Sequence, residues 1–232
     1  KTQRKARIFQ SNHCGLCAFA AGFASMTGDT QFVLAPAASV PDTRTMQETG
    51  NFTNHFLIAM PNLRDPNFAR TVTLICEHSS QGAMGIVINR VTDLRLADIL
   101  QQMDIKGGDS RHLDLPVYVG GPVQNNRGFV LHEPLGKWES TLTVTASLGV
   151  STSRDILVAL AENRGPERCL LALGYAGWAA GQLEHEIGEN AWLSGPADSQ
   201  ILFDTPVEAR WGAAVKHLGV DLAALSGEAG HA

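Results

Sequence analysis

The sequence predicts a mixed α+β domain, and three observations support that fold class. Seven short segments have the alternation or the β-branched and aromatic content that is typical of strands, and they are too many for a helical bundle. Four further stretches have apolar residues at helical spacing. The helices fall between groups of strands rather than alternating regularly with them, so we expect strands in hairpins with helices inserted between them.

The predicted strands come mainly from the first two thirds of the region after residue 50. They are predicted at residues 55–60, 71–78, 84–89, 117–119, 128–132, 141–145 and 169–173.

The best-marked helix begins after Thr205. Thr205 is predicted to be the N-cap, Pro206 occupies the first helical position and Glu208 is the capping-box acid. The apolar residues Trp211, Val215 and Leu218 follow at i, i+4 and i+7.

Three other helices are predicted from capping residues and apolar spacing. The segment Ser151-Thr-Ser-Arg-Asp155 opens one of them, with three apolar side chains directed inward, and a less regular helix spans residues 93–103. The inward residues of the helix that begins after Ser151 are Ile156, Leu157 and Leu160. The third helix has a core stripe of Ala179, Leu183 and Ile187.

The chain divides into two regions by composition. Residues 1–45 carry five basic and two acidic residues and precede a stretch without apolar periodicity, so we predict a disordered or non-native N-terminal extension there and a single domain at 46–232. A basic head and a mildly apolar run in this extension resemble a weak secretory signal. Cys14 and Cys17 form a Cys-x-x-Cys pair, but no second ligand pair follows, so a zinc or redox site is not favoured.

Charge and composition narrow the classes of partner. Positions 46–232 hold 13 basic and 21 acidic residues, a formal charge of −8, which disfavours direct contact with nucleic acid. No apolar run is long enough to cross a bilayer, so no membrane contact is expected. Four cysteines without a regular framework, two of them (Cys76 and Cys169) in apolar runs, favour the cytoplasm.

Several blocks of the sequence, taken in order, resemble one bacterial family. Among them are Asn54-His-Phe-Leu-Ile-Ala-Met-Pro61, Gly82-Ala-Met-Gly-Ile-Val-Ile-Asn-Arg90, Gly120-Gly-Pro-Val-Gln124 and Gly174-Tyr-Ala-Gly-Trp-Ala-Ala-Gly-Gln-Leu-Glu184. On these blocks the region 46–232 is identified as a member of the YqgE/AlgH family, whose members are often labelled transcriptional regulators. The resemblance implies a pseudo-barrel of mixed, largely antiparallel sheets with helices packed around it. It also implies a link to the control of alginate production, and it supplies no catalytic residues.

The glycine-rich and aromatic stretch from Gly174 onward is predicted to be a contact surface. Tyr175 and Trp178 offer large amphipathic faces beside the polar side chains of Gln182 and Glu184. We expect these four residues to bind a protein partner or a small ligand.

A second candidate lies at Gly120 and Gly121. With Arg127 and Gly128 this turn could present backbone N–H groups and a guanidinium to an anion. The alternative is an ordinary tight turn with a structural arginine. The pattern lacks the ending of a phosphate-binding P-loop, so nucleotide binding is not implied.

The residues that could carry a reaction do not form a recognisable set. His185-Glu186-Ile-Gly-Glu189 starts like a zinc-protease helix but lacks its second histidine. The strand-flanking His55, His78 and His132 form a metal site only if they meet at one sheet edge. Four arginines, at positions 70, 90, 127 and 154, raise the same question for an anion pocket, and we interpret them as structural ion pairs with partners such as Asp65 and Asp155.

Three classes of function follow, in order of preference. The first is a cytoplasmic regulatory or adaptor protein that binds an unidentified protein or small molecule, without a cofactor and without catalytic residues, and so affects transcription indirectly. The second is an enzyme of undetermined class, with a site of strand-end Arg, Asp and His residues. The third is a direct DNA-binding regulator, for which the sequence offers neither a basic stripe nor a helix-turn-helix.

Overall fold

A long, strongly bent sheet forms the framework of the protein. The computed structural model describes residues 50–106 and 108–220 of the 232-residue chain. Its strands are β1 (His55–Ala59), β2 (Val72–Ser79), β3 (Gly82–Val87), β4 (Val91–Arg95), β5 (Pro116–Val119), β6 (Val123–Glu133), β7 (Thr141–Thr143), β8 (Gly149–Ser151), β9 (Arg168–Ala179) and β10 (Trp192–Pro196). The helices are α1 (Leu96–Gln102), α2 (Arg154–Ala161), α3 (Gln182–Gly188) and α4 (Val207–His217), and a π-helical turn (Gln200–Asp204) precedes α4.

The strands pair in the order β10-β1-β2-β3-β9-β6-β8-β7, and β5 joins β4 to β9. All of these pairs are antiparallel except β5 with β9. The sheet curls into a half-barrel with several helices, which confirms the predicted α+β class.

The central strand, β9, changes its orientation at Gly174. Before Gly174 the side chains of Leu170 and Ala172 face the largest core cluster, whereas after it Tyr175 faces that cluster and Trp178 faces another. Gly174 has a φ of +76°, a backbone conformation that favours glycine, and this residue shifts the alternation by one position. One strand therefore contributes to three separate cores.

Three apolar clusters hold the elements together. The largest fills the inside of the half-barrel beneath α4 and includes Phe56, Leu74 and Leu131. The second packs α1 and α2 against β5, β6 and β9, and the third lies beneath α3. No helix within the described residues is long and apolar enough to cross a membrane.

Several predicted elements need correction. Ala179 was predicted in a helix but is the last residue of β9, and α3 begins only after Gly181, which has a φ of +71°. Asp93 lies in β4 rather than in α1. Pro206, not Thr205, is the N-cap of α4, because the Thr205 hydroxyl donates to Gln200 O and closes the π-helical turn instead.

Strands β4, β8 and β10 and the second half of β9 were not predicted. The predicted helix after Ser153 is confirmed, with Ile156, Leu157 and Leu160 buried. The predictions for residues 1–45, including Cys14 and Cys17, lie outside the described residues.

Candidate functional site

The predicted aromatic contact surface is divided between two cores. Tyr175 is half-buried and its ring meets that of Phe129 edge to face, with centroids 5.6 Å apart. Trp178 is only 6% exposed and packs against Phe68 and Trp192 in the cluster beneath α3. The two rings therefore belong to different clusters, and the binding role predicted for them stays a prediction.

The carboxylate of Glu186, a residue of α3, accepts three hydrogen bonds from other side chains. The indole N–H groups of Trp178 and Trp192 donate to its Oε2 over 3.0 and 2.9 Å, and Gln182 Nε2 donates to its Oε1 over 2.9 Å. Gln182 also accepts from Ala179 N through Oε1. These bonds fasten α3 to the sheet, so Gln182 and Trp178 have structural partners in the protein itself.

Glu184, the fourth residue of the predicted surface, pairs with His78. The backbone N–H of Phe52 donates to His78 Nδ1, which places the ring proton on Nε2. His78 Nε2 then donates to Glu184 Oε1 over 2.9 Å. This pair also fastens α3 to the sheet, and it adds to the anchoring by Glu186.

The turn at Gly120 and Gly121 crosses the backbone of β9. A Cβ on Gly120 would lie 2.2 Å from Gly174 O, and one on Gly121 would lie 2.2 Å from the carbonyl carbon of Tyr175. Both glycines are buried, so this close approach accounts for them structurally. Arg127 is exposed and donates to Thr152 Oγ1 over 3.2 Å, while Gly128 is in ordinary contact with Leu171.

His132 and Ser151 form the pair closest in geometry to a catalytic dyad. His132 Nδ1 donates to Pro134 O over 3.0 Å, so His132 Nε2 accepts from Ser151 Oγ over 2.9 Å. Thr141 Oγ1 in turn donates to Ser151 Oγ over 2.7 Å. Burial lowers the pKa of His132, although its bond to Pro134 opposes the shift. Both His132 and Ser151 are fully buried, so this is a polar network of the core.

The three strand-flanking histidines do not meet. His55 bonds to Thr53 O, His78 to Glu184 and His132 to Ser151. Within residues 50–106 and 108–220 no group of three or more His, Cys, Asp or Glu side chains is placed to hold a metal ion. Burial also raises the pKa of Cys76 far above its usual range and that of Cys169 to about 11, so both thiols are protonated at neutral pH.

An open cleft of about 470 Å³ lies between α2 and the loop that carries Trp138. Of its two lining acids, Glu139 and Asp155, the second accepts hydrogen bonds from Ser153 Oγ, Glu139 N and Ile156 N. Burial alone would raise the pKa of Asp155, but these hydrogen bonds outweigh it and lower that pKa. Asp155 is therefore anchored by the protein.

The interpretation of the four predicted arginines as ion pairs is wrong. Within the described residues none of them pairs with a carboxylate. Arg90 donates to Pro66 O over 2.7 Å and to Ala69 O over 2.9 Å. Arg154 donates to Met103 O over 2.8 Å, and Arg70 lies over the ring of Trp211. Arg90 and Arg154 therefore donate to backbone carbonyl oxygens, in the turn before β2 and at the end of α1, rather than to carboxylates.

A third arginine, which sequence reasoning missed, is connected to Arg70 and Arg90 through their neighbours Trp211 and Ile88. Arg210, on α4, is 4% exposed, and it donates through Nε to Thr205 O over 3.0 Å and through Nη1 to Ile88 O. Its guanidinium lies over the ring of Tyr118, 5.2 Å from the centroid.

Asn89 connects the three arginines. It follows Ile88 and precedes Arg90 in the chain, and its Nδ2 donates to Arg70 O over 2.9 Å. Its Oδ1 accepts from Val72 N, which fixes the amide group in place. We call the group of Arg70, Asn89, Arg90, Arg210 and Trp211 the arginine corner. Within the described residues, no carboxylate balances its three cations.

The fold and this corner define an α+β half-barrel protein with a concentration of unpaired positive charge on an otherwise acidic chain. A family model described as AlgH-like matches residues 56–223. A UPF0301 protein of Thioalkalivibrio sulfidiphilus is 59% identical over 187 residues, which span 81% of this chain and all of the relative, and one of Nitrosococcus oceani is 57% identical. The chain therefore belongs to the AlgH-like family.

Solved structures agree with this assignment. The solution structure of the AlgH protein from Pseudomonas aeruginosa matches with a TM-score of 0.66 and 51% identity, over 81% of this chain and all of that one. A protein from Corynebacterium diphtheriae matches with a TM-score of 0.59 at 22% identity, over 74% of this chain and 90% of that one. The second likeness shows the shared fold alone.

Proposed function

We propose that this protein is a cytoplasmic regulatory protein that acts by binding an anionic ligand or partner at the arginine corner and affects transcription indirectly. The observation that carries this proposal is the burial of Arg210 without a carboxylate partner. A buried charge is costly unless it is paired, and carbonyl oxygens supply hydrogen bonds but no opposite charge.

The side chains around the corner favour a partner that is not purely ionic. Val91 follows Arg90 in the chain and is 48% exposed, and Val119, whose N–H donates to Arg90 O, is 40% exposed. A cationic group beside two exposed apolar side chains is a surface on which an organic anion or an acidic protein segment binds through both kinds of contact.

The enzyme alternative is supported less well. Its best geometric candidate is the pair His132 and Ser151, and neither side chain reaches solvent. A nucleophile and its base must both contact the substrate. We therefore place the function in binding rather than in turnover.

A ligand screen on the full-length chain tests the proposal. Anionic metabolites are screened by thermal shift against the wild type, Arg70→Gln and Val119→Asp, with Arg164→Gln as the matched control, because Arg164 is exposed and pairs with Glu162. We expect ligands that stabilise the wild type and the control but neither Arg70→Gln nor Val119→Asp, and that mass spectrometry recovers unchanged. Ligands that stabilise all four proteins equally, or that are converted to products, would contradict the proposal.

A further inference from the structure

We infer that the arginine corner is a site for a compact oxyanion, a phosphate or carboxylate group, with Arg210 as its buried donor and Arg70 as its cation on the solvent side. This inference rests on the proposed function, because it names the chemistry of the same site. It goes further in assigning the binding of charge to two particular side chains.

One guanidinium nitrogen of Arg210 has no acceptor in the described residues. Its Nε and Nη1 are occupied by Thr205 O and Ile88 O, while Nη2 donates to no described residue. Nη2 is not completely buried, although only 4% of the residue is exposed. The guanidinium is thus fixed on one edge and open on the other. A fixed donor loses little conformational entropy when an acceptor binds.

The guanidinium of Arg210 is held in a fixed orientation. Two carbonyl groups and the face of Tyr118 constrain Arg210 from three sides. One carbonyl belongs to Thr205, directly before α4, and the other to Ile88, directly after β3. Two separate elements therefore fix the open edge, as is required of a preorganised site.

Arg70 supplies the second cation of the proposed site. Arg70 is exposed, and its guanidinium lies 4.8 Å from the centroid of Trp211, the residue that follows Arg210 in α4. Its guanidinium donates no hydrogen bond to a described residue, so its N–H donors remain for a ligand. A hydrogen bond from a guanidinium to an oxyanion is charge-assisted and roughly twice as strong as a neutral one.

The charge of the rest of the chain makes the inference easy to test. The chain carries a formal net charge of −5, so anions are repelled by the protein as a whole. Saturable binding of a small anion must then arise locally. An oxyanion should bind and chloride should not, because chloride cannot offer several acceptor oxygens to two guanidinium groups.

Calorimetric and thermal-shift titration of the full-length chain with inorganic phosphate tests the inference. Sulfate and acetate serve as the other oxyanion probes, and sodium chloride keeps the ionic strength constant. We expect saturable binding of at least one oxyanion, with affinity reduced about fivefold in Arg70→Gln and about tenfold or more in Arg210→Gln. Arg164→Gln, outside the corner, should bind as the wild type does.

Arg210→Lys covers the case in which Arg210→Gln does not fold. Lysine keeps the charge but loses the fork of donors, so we expect a folded protein with weakened oxyanion binding. Equal binding by Arg70→Gln, Arg210→Lys and the wild type would overturn the inference. So would the failure of all three oxyanions to bind the wild type.

The two proposals fail in different ways. If no simple oxyanion binds but the ligands found by screening are still lost in the corner variants, the inference is wrong and the proposed function stands. If those ligands also bind the corner variants normally, both are wrong. Binding of a DNA duplex that depends on Arg70 would replace the small oxyanion with a polymeric one and contradict the inference.

Discussion

The surroundings of α3 and the arginine corner both contain charged side chains beside tryptophan, but they differ in how far their hydrogen-bonding groups are satisfied within the described residues. Beneath α3, Glu186 receives three donors and Glu184 receives His78. At the corner, Arg210 and Arg90 give their donors to carbonyl oxygens and find no carboxylate in the described residues. A polar cluster whose donors and acceptors are satisfied within the protein fastens its elements together, whereas one with a free donor retains capacity for a ligand.

Among these variants, Trp178→Ala should give the largest loss in the free energy of unfolding. The ring is buried between Phe68 and Trp192, so its loss should lower the free energy of unfolding by about 3–5 kcal/mol, as large core truncations do. Arg70→Gln, at the corner, should stay within about 0.5 kcal/mol of the wild type. Urea denaturation measures both, and similar losses in the two variants would show that the regions do not differ in this way.

The buried network of His132 predicts a dependence of stability on pH. Burial lowers the pKa of His132 from its ordinary value of 6.5, so the unfolded chain takes up the proton first as the pH falls. Stability is therefore fully present above about pH 6.5 and is lost on acidification towards the folded pKa. Denaturation midpoints measured from pH 7.5 to 5 should show this loss.

Two variants test whether His132 causes this dependence of stability on pH. His132→Gln should weaken it, and the remainder should come partly from His112, whose pKa is also lowered, first by burial and then by Arg111. His185→Gln, on the exposed face of α3, serves as the control. An unchanged pH profile in His132→Gln would rule out this role.

Small effects of opposite sign are expected from two buried threonines, two positions apart. Thr71 Oγ1 donates to Phe68 O over 2.7 Å, whereas Thr73 Oγ1 is buried without a partner in the described residues. Replacement by the isosteric valine should cost about 1 kcal/mol at Thr71 and add up to about 1 kcal/mol at Thr73. Thermal unfolding of the two variants side by side checks the opposite signs, and equal signs would contradict the assignment of partners.

Sequence reasoning found the fold class and most elements, and its errors have identifiable causes. Helix α4 was found from Pro206 and the apolar spacing, although Thr205 serves the preceding turn. Strand β9 was predicted to end at residue 173 because Gly174 shifts the alternation there. Local patterns do not reveal a strand that changes faces.

The candidate site was harder to predict because it depends on contacts between distant segments. Arg210 meets Ile88, 122 residues away in the chain. One signal was present: Arg210 occupies the buried stripe of α4, three residues after Val207 and four before Ala214. A charged residue on an apolar stripe indicates either a buried partner or a ligand.

The most direct test of oxyanion binding at the arginine corner is NMR observation of its side-chain N–H groups during a phosphate titration at constant ionic strength. We expect saturable shifts of the Arg210 Nε–H and Trp211 Nε1–H signals, while the Nε1–H signals of Trp178 and Trp192, bound to Glu186, stay in place. An Arg210 signal that does not respond, or four signals that move alike, would contradict this expectation.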